Sequence, residues 1–155
     1  MNCCRIIFLF LVCCSNTATA QKQILDSSMH HLRNGKEAEW VNFSRLPVQA
    51  NLIIYFPANR NEADYTLSLN QNDVKQFWRL ILNNRIIDSL VVDENPMKTF
   101  FSIPSGFLLQ GNNELKIEPS SEINDDIEVG EIMLDERPIN EVLTEAHLDI
   151  EVIDG

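Results

Sequence analysis

Residues Val74–Val92 read Val-Lys-Gln-Phe-Trp-Arg-Leu-Ile-Leu, then Asn83-Asn84, then Arg-Ile-Ile-Asp-Ser-Leu-Val-Val. Two runs rich in β-branched and aromatic residues flank two asparagines, which tolerate the positive φ angles of a tight hairpin turn. The stretch therefore predicts a β-hairpin. Along its first strand Trp78 lies on the more apolar face, which we expect to be buried, whereas Phe77 and Arg79 lie on the opposite face.

Short apolar runs separated by turn residues continue on both sides of the hairpin. They predict further strands at Asn51–Phe56, Tyr65–Leu69, Lys98–Ile103, Glu114–Glu118 and Asp126–Leu134. In the last of these the apolar positions change from odd to even numbers at Gly130, which predicts a β-bulge. About eight short strands without a long amphipathic helix predict an all-β fold, a two-sheet antiparallel sandwich of jelly-roll type. An immunoglobulin-like sandwich is the alternative.

The amino-terminal end has the pattern of a signal peptide. Arg5 precedes the apolar run Ile6–Val12, and the polar segment after it ends in Ala18-Thr19-Ala20. We expect residues 1–20 to be removed and the protein to be secreted or periplasmic. All four cysteines lie in this leader, so the exported chain is expected to form no disulfide. Lipid attachment at Cys14 is the alternative to simple cleavage.

The rest of the chain divides into three segments by composition. These are an N-terminal arm (residues 21–47), a β-sandwich domain (residues 48–138) and a C-terminal linker with a last strand (residues 139–155). In the arm, Gln23–Arg33 predicts a short helix, and His30 and His31 are expected to be exposed. Residues 139–145 predict a helical turn. The last strand ends in Asp154-Gly155, a natural turn pair, so it either closes the sandwich or begins a following domain.

The charge of the chain limits its partners. Lys and Arg number 12 against 23 Asp and Glu, which gives a formal net charge of −11. Such a chain repels phosphate backbones and anionic membrane surfaces, so nucleic acid is not expected as a partner. No segment has the roughly 20 consecutive apolar residues of a membrane-spanning helix, so no span is expected.

The sequence contains no recognisable catalytic motif. The exported chain has no cysteine, and its three histidines are His30, His31 and His147. Neither Gly-x-Ser-x-Gly nor His-Glu-x-x-His occurs. We therefore predict that the protein is not an enzyme. A small enzyme that combines His147 with acidic residues is the alternative.

Several residues could bind a ligand. Sugar binding needs a flat aromatic face beside amides, carboxylates or arginine, because sugar C–H groups stack on rings while hydroxyls need hydrogen bonds. The rings with that potential are Trp40, Tyr55, Phe77 and Phe100, each of which could instead pack in the core. The favoured ligand-binding residues are Phe77, Arg79 and Trp40.

Acidic residues in loops and at strand ends suggest one possible metal. Asp93, Glu94, Asp125 and Asp126 offer oxygen ligands that would suit a structural calcium ion. Charges in solvated loops are the alternative, since their spacing does not match an EF-hand loop. No other cofactor is predicted.

The strands around the hairpin also resemble a known family. Three segments carry the likeness: Trp78–Ile87, Ile103–Leu108 and Gly111–Ile117. They are similar to the galactose-binding-like jelly-roll domains of secreted glycoside hydrolases, in which a Trp-x-hydrophobic-x-Leu-Asn-Gly hairpin precedes a Gly-x-Asn-x-Leu-x-Ile strand. Asn84 replaces the usual glycine. These segments mark turns and core positions, so the resemblance implies a fold rather than a ligand site.

A second, narrower resemblance concerns four acidic segments. They are Asp73-Val74, Val91–Asn95, Asp126–Ile132 and His147–Gly155. They are similar to a module that precedes PHP-type metal-dependent hydrolase domains in large secreted bacterial proteins. The resemblance implies a non-catalytic accessory module. We therefore expect binding of carbohydrate or another extracellular polymer, or, as the alternative, docking against an adjoining metal-dependent hydrolase without a ligand.

Overall fold

The computed structural model describes residues 21–39 and 46–144, which form two β-sheets packed against each other. The elements of these residues are β1 (Lys22–Asn34), β2 (Val48–Gln49), β3 (Leu52–Ala58), β4 (Tyr65–Asn72), β5 (Trp78–Leu82), β6 (Arg85–Ser89), β7 (Met97–Ile103), β8 (Gly111–Pro119), β9 (Asp125–Asp135) and α1 (Ile139–Leu143). The five-stranded sheet has the order β2-β1-β9-β4-β7, and the four-stranded sheet has the order β3-β8-β5-β6. The predicted all-β two-sheet sandwich is confirmed.

The predicted hairpin joins β5 to β6. Asn83 and Asn84 have φ angles of 50° and 63°, the two positive values that a type I′ turn requires. The paired strands are shorter than the sequence suggested, and one isolated bridge between Val74 and Asp93 lies beyond them. The hairpin prediction is confirmed. The residues at the two ends of the predicted stretch lie outside the regular pairing of β5 with β6.

Three long-range antiparallel pairings nest around this hairpin, and β4–β9 and β5–β8 are the pairings that join them within each sheet. β4 pairs with β7, β3 pairs with β8, and β1 pairs with β9. Successive pairs belong alternately to the five-stranded and the four-stranded sheet. This nested order is the jelly-roll arrangement, which closes the sandwich by wrapping one long folded hairpin around the core.

The core lies between the sheets and takes alternate side chains from each strand. Trp78, Leu80 and Leu82 of β5 are fully buried, as predicted for that face of the strand. They pack with Leu115 and Ile117 of β8 and with apolar residues of the opposite sheet. Each fully buried side chain of this size contributes about 1.5–3 kcal/mol relative to an exposed one.

β9 contains the predicted bulge, at Gly130 and Glu131. The apolar side chains on both sides of it are buried, although they occupy odd positions before it and even positions after it. A Cβ atom at Gly130 would lie 2.0 Å from the carbonyl oxygen of Ser28, so the close approach of β1 requires glycine there. The prediction is confirmed, but the residue with positive φ, 49°, is Glu131.

β1 occupies residues for which the sequence suggested another structure. The helix predicted over Gln23–Arg33 is wrong, and β1 instead lies between β2 and β9 in the five-stranded sheet. The sandwich therefore includes a strand from the segment that was assigned to an N-terminal arm. Register shifts between Ile24 and Asp26 and between Asp26 and Met29 interrupt the alternation that would have indicated a strand.

The two adjacent histidines of β1 are not exposed as expected. His31 is 2% exposed, and its Nε2 lies 2.7 Å from Oδ1 of Asp126. His30 is half-buried, and its Nε2 lies 2.7 Å from Oδ2 of Asp26. Each imidazole thus has a carboxylate partner, as buried polar groups usually require.

The C-terminal part of the described chain is the short helix α1. It contacts the outer side of β4 and β7, and it confirms the predicted helical turn. The last strand expected near residues 148–152 lies outside the described residues, as do Trp40 and His147.

Candidate functional site

Two of the residues predicted to bind a ligand lie in or beside β5. Phe77 directly precedes β5 and is 62% exposed. Arg79 lies on the outer face of the four-stranded sheet, and its Nη2 donates a hydrogen bond of 3.1 Å to Oε1 of Glu118. The third, Trp40, lies outside the described residues. The structure therefore leaves Phe77 open to solvent but gives the guanidinium of Arg79 a partner within its own sheet.

Asp93 and Glu94, two of the predicted calcium ligands, lie in the connection between β6 and β7. Oδ1 of Asp93 accepts hydrogen bonds from N and Nδ2 of Asn95, at 2.8 and 2.9 Å. These bonds hold the pKa of Asp93 below its ordinary value. Asp93 thus stabilises its own turn, and Glu94 beside it is exposed.

Asp125, the third predicted calcium ligand, is buried at the start of β9. Its Oδ2 accepts hydrogen bonds from Nε1 of Trp78, at 2.8 Å, and from N of Gln76, at 3.0 Å. Its Oδ1 is buried and has no hydrogen-bond partner among the described residues. Burial raises the pKa of Asp125, and the hydrogen bonds from Trp78 and Gln76 oppose that rise. This carboxyl group links the two sheets.

Asp126, the fourth, is the centre of a buried ionic network. Its Oδ1 lies 2.7 Å from Nε2 of His31 and accepts a hydrogen bond of 2.6 Å from Nε of Arg33. Its Oδ2 accepts a hydrogen bond of 2.7 Å from N of Glu39. Within residues 21–39 and 46–144, no three His, Cys, Asp or Glu side chains are grouped to hold a metal ion. Calcium binding stays a prediction, and Asp126 is an internal partner of β1.

The outer face of the five-stranded sheet carries three depressions, with volumes of about 500, 230 and 230 Å³. Lys98 lines all three, while Glu131 and Met133 each line two, so the depressions adjoin one another. Pro96 lies at one end and Leu143 of α1 at the other. We name this continuous depression the sheet groove.

Alternation along β4 and β7 supplies the floor of the sheet groove. On β4, Ser68 and Asn70 point outward, while the leucines beside them are buried in the core. On β7, Lys98 and Phe100 point outward in the same way. The pattern that buries apolar side chains on one side therefore places a hydroxyl, an amide, an ammonium and an aromatic ring on the other.

The bulge in β9 decides where the carboxylate of Glu131 lies. In a regular strand, position 131 would continue the inward series of Ile127 and Val129 and place a charge in the core. With the bulge, Glu131 is exposed, and its Oε2 accepts a hydrogen bond of 2.5 Å from Nδ2 of Asn70. A glutamate with positive φ costs conformational free energy, and such residues concentrate at functional sites. Glu131 is therefore a candidate ligand-binding residue.

Lys98 brings an open positive charge to the sheet groove. Its Nζ makes no ion pair within the part of the chain that the structure describes. It lies 5.9 Å from the centre of the Phe100 ring, which is within the range of a cation–π contact. A strong hydrogen-bond donor and an apolar ring face are thus adjacent, and Phe100 is one of the rings considered from the sequence.

Acidic residues outnumber basic ones in the sheet groove. The charged residues that line it are Lys22, Lys98, Asp26, Glu128, Glu131 and Asp135. Asp135 is paired with Arg137 at 2.8 Å, and hydrogen bonds from Arg137 hold the pKa of Asp135 below its ordinary value. The remaining excess of carboxylates repels an anionic ligand but does not repel an uncharged one.

Sequence reasoning missed Asn70, Lys98 and Glu131 as site residues. They lie on β4, β7 and β9, which are neighbours in the sheet but distant in the sequence, so no local motif includes them. One signal did exist. The change of register at Gly130 already places Glu131 on the outer face of its strand.

Comparison with known proteins leaves the functional question to the geometry. No protein-family model matches the chain, and no curated protein matches it. Within the described ranges, none of the helices has the length and apolar character needed to cross a membrane.

Proposed function

We propose that this chain is a non-catalytic extracellular binding module whose sheet groove holds an uncharged polysaccharide. The observation that carries the proposal is the continuity of the groove around Lys98, beside the bulge that presents Glu131. The leader pattern of residues 1–20 supports an extracellular location.

The groove offers the chemistry that a sugar chain needs. Sugar C–H faces pack on aromatic rings, and Phe100 supplies one. Each sugar hydroxyl can both donate and accept a hydrogen bond, so it can accept from Nζ of Lys98 and donate to the carboxylate of Glu131. Asn70 already holds that carboxylate in place. This carboxylate is therefore positioned before the ligand arrives, which lowers the cost of binding.

The length of the groove favours a polymer over a small molecule. It follows β4 and β7 from Pro96 to α1, and the eight residues of β4 extend roughly 26 Å at about 3.3 Å per residue. A monosaccharide would occupy a small part of that distance. Several consecutive sugar units could contact the sheet at once, and each would add to the affinity.

Calorimetry and affinity electrophoresis with the exported chain, residues 21–155, test the proposal. The ligands are a panel of neutral polysaccharides and one polyuronate. Lys98→Ala and Glu131→Gln should each weaken binding of the neutral ligand about tenfold or more, because a hydrogen bond to a charged group contributes about 1.5–3 kcal/mol. Lys116→Ala removes an outward-facing lysine of the four-stranded sheet and is the matched control.

The possible outcomes separate the alternatives. In one outcome, Lys98→Ala leaves the affinity unchanged while Phe77→Ala or Arg79→Ala abolishes it. That result would place the ligand on the side of β5 that the sequence favoured. Failure to bind any polysaccharide would contradict the proposal. Release of reducing ends from a bound polymer would contradict its non-catalytic part.

One observation favours a second function, docking against an adjoining hydrolase or other domain. The register of the four-stranded sheet places Ile53, Lys116, Ile81 and Ile86 in one row across its outer face. Ile53 is 42% exposed and Ile86 is 58% exposed. Exposed isoleucines in one row of an open sheet, here with Lys116 between two of them, are typical of a surface that another protein segment covers.

An immunoblot of the native protein tests the docking function. A species clearly longer than 155 residues would support it, and a species of that length would contradict it. The double variant Ile53→Asp with Ile86→Asp should abolish docking and leave polysaccharide binding unchanged, since the two faces are separate.

A further inference from the structure

A second cavity lies at the end of the sandwich where β9 ends and β8 begins. Its volume is about 490 Å³, and we name it the end cleft. Tyr65 and Leu134 contribute to its floor between the two sheets, and Pro57, at the end of β3, and Gln110, before β8, contribute to its rim. None of the residues that line it lines the sheet groove. The two cavities are therefore separate features.

Four side-chain amides line the end cleft: Gln21, Gln23, Asn59 and Gln110. Nε2 of Gln23 donates to the carbonyl of Pro57 at 3.1 Å, and Nε2 of Gln110 donates to Oδ1 of Asn59 at 3.1 Å. Each amide group has two donor hydrogens and one acceptor oxygen. Nδ2 of Asn59 and Oε1 of Gln110 make no hydrogen bond within the described residues, so a donor and an acceptor remain side by side for a ligand.

The side chains that line the end cleft include one charged group, which is acidic. Glu136 is the charged residue of its lining, and its Oε2 accepts a hydrogen bond of 3.3 Å from N of Gln21. Burial raises the pKa of Tyr65, and the charges of Glu136 and Glu62 raise it further. The phenol of Tyr65 therefore stays protonated at neutral pH and can donate a hydrogen bond. Among the side chains of the lining, Glu136 carries the one charge, and in the exported chain the α-amino group of Gln21 lies beside that carboxylate.

We infer that the end cleft is a second binding site, which takes an uncharged sugar unit at the free end of a glycan. The ring of Tyr65 and the side chain of Leu134 offer an apolar floor for C–H groups, and the amides offer alternating donors and acceptors for hydroxyls. The cavity volume lies within the usual range of about 300–1,000 Å³ for small-ligand sites. Because core residues close the floor of the end cleft, a glycan cannot pass through it. The glycan therefore enters with its terminal sugar unit.

The class of ligand in this inference rests on the proposed function. The site itself consists of residues that do not line the sheet groove. Titration of the isotope-labelled exported chain, followed by nuclear magnetic resonance, is the direct test. The probes are the methyl glycosides of glucose, galactose, mannose and N-acetylglucosamine, with methyl glucuronide as the anionic probe. At least one neutral glycoside should shift the side-chain amide signals of Asn59 and Gln110, and the glucuronide should shift neither.

Variants separate the end cleft from the sheet groove. The double variant Asn59→Ala with Gln110→Ala changes two exposed side chains, so it should fold, and it should weaken binding of the neutral glycoside about tenfold. Lys98→Ala, in the sheet groove, should leave that affinity unchanged. Amide signals that no glycoside shifts, or an equal response to the glucuronide, would overturn the inference. Polysaccharide binding that persists in that case would leave the proposed function standing.

Discussion

The two outer faces of the sandwich use their charged side chains in different ways. On the four-stranded sheet, Glu118 is paired with Arg79 and with Lys116, and all three side chains contact solvent. These charges neutralise one another on a surface that is otherwise crossed by isoleucines. The face thus offers few open polar groups, although it holds the cation that the sequence favoured for binding.

On the five-stranded sheet, the charged side chains differ more widely in their exposure. Asp126 is enclosed by His31 and Arg33, whereas Lys98 and Glu131 remain open in the sheet groove. The difference shows that outward polarity alone does not make a binding surface. Alternation produces polar outer faces on both sheets, and the proposed site lies where Lys98 makes no ion pair within the described residues.

Breaking the buried network should give the largest effect. Asp126→Ala leaves His31 and Arg33 without their carboxylate, which should lower the free energy of unfolding by about 3–5 kcal/mol. Glu118→Ala on the opposite face should cost less than about 1 kcal/mol, because exposed ion pairs are weak. Urea unfolding measures both changes. Equal costs would contradict the contrast between the faces.

The next largest effect is expected at the bulge. Gly130→Ala introduces a Cβ atom against the main chain of Ser28, so the strands must separate, at a cost of about 1–3 kcal/mol in the free energy of unfolding. Ser28→Ala is the control, since the contact involves the carbonyl of Ser28 and not its side chain. Thermal unfolding of the two variants tests the prediction, and a Gly130→Ala protein as stable as the control would show that β1 can shift without cost.

A smaller effect of opposite sign is expected at Glu131. In the Asn70→Ala background, which already lacks the hydrogen bond to Glu131, Glu131→Gly relieves the positive φ of a residue with a side chain. It should raise the free energy of unfolding by about 0.5–1 kcal/mol after the added flexibility of the unfolded chain is counted. The same variant should weaken polysaccharide binding, because it removes the groove carboxylate. Denaturation of one sample tests the predicted stability, and calorimetry of the same sample tests the predicted loss of binding. Lower stability, or unchanged binding, would argue against strain held for function.

The smallest effect should be a change in pH dependence at Asp125, which joins the two sheets. Because its pKa is raised in the folded state, the folded protein binds this proton more tightly than the unfolded chain does. The contribution of Asp125 to stability is therefore present at low pH and is lost as pH rises from its ordinary pKa of 3.8 through the raised value. Asp125→Asn removes this dependence.

Unfolding curves between about pH 3 and pH 7 test that prediction. The stability of Asp125→Asn minus that of the wild type should increase with pH over this interval. A constant difference would mean that Asp125 has an ordinary pKa in the folded protein. Asp135 provides an internal comparison, because Arg137 lowers its pKa and its contribution has the opposite sign.

Local sequence patterns predicted those parts of the fold that neighbouring residues determine. The asparagine pair defined the hairpin, alternation defined β4 and β5, and the change of register at Gly130 defined the bulge. Each of these features depends on the φ angles or the facing of consecutive residues. A few consecutive residues therefore suffice to predict each of these features.

Features that depend on distant pairing could not be predicted in the same way. β1 contains two register shifts, so its apolar residues imitate the spacing of a short helix. The partner of His31 is Asp126, 95 residues away, and nothing near either residue identifies the other. The sheet groove likewise needs β4, β7 and β9 to be placed side by side before Lys98 and Glu131 form one surface.

The pairing of β1 with β9, the last strand of the described residues, also affects when the five-stranded sheet can form. Ribosomes make chains from the amino terminus, so β1 is complete long before β9 exists to pair with it. Closing so long a loop is slow, because its entropy is lost before the contacts form. The five-stranded sheet can therefore be completed only after β9 has been synthesised.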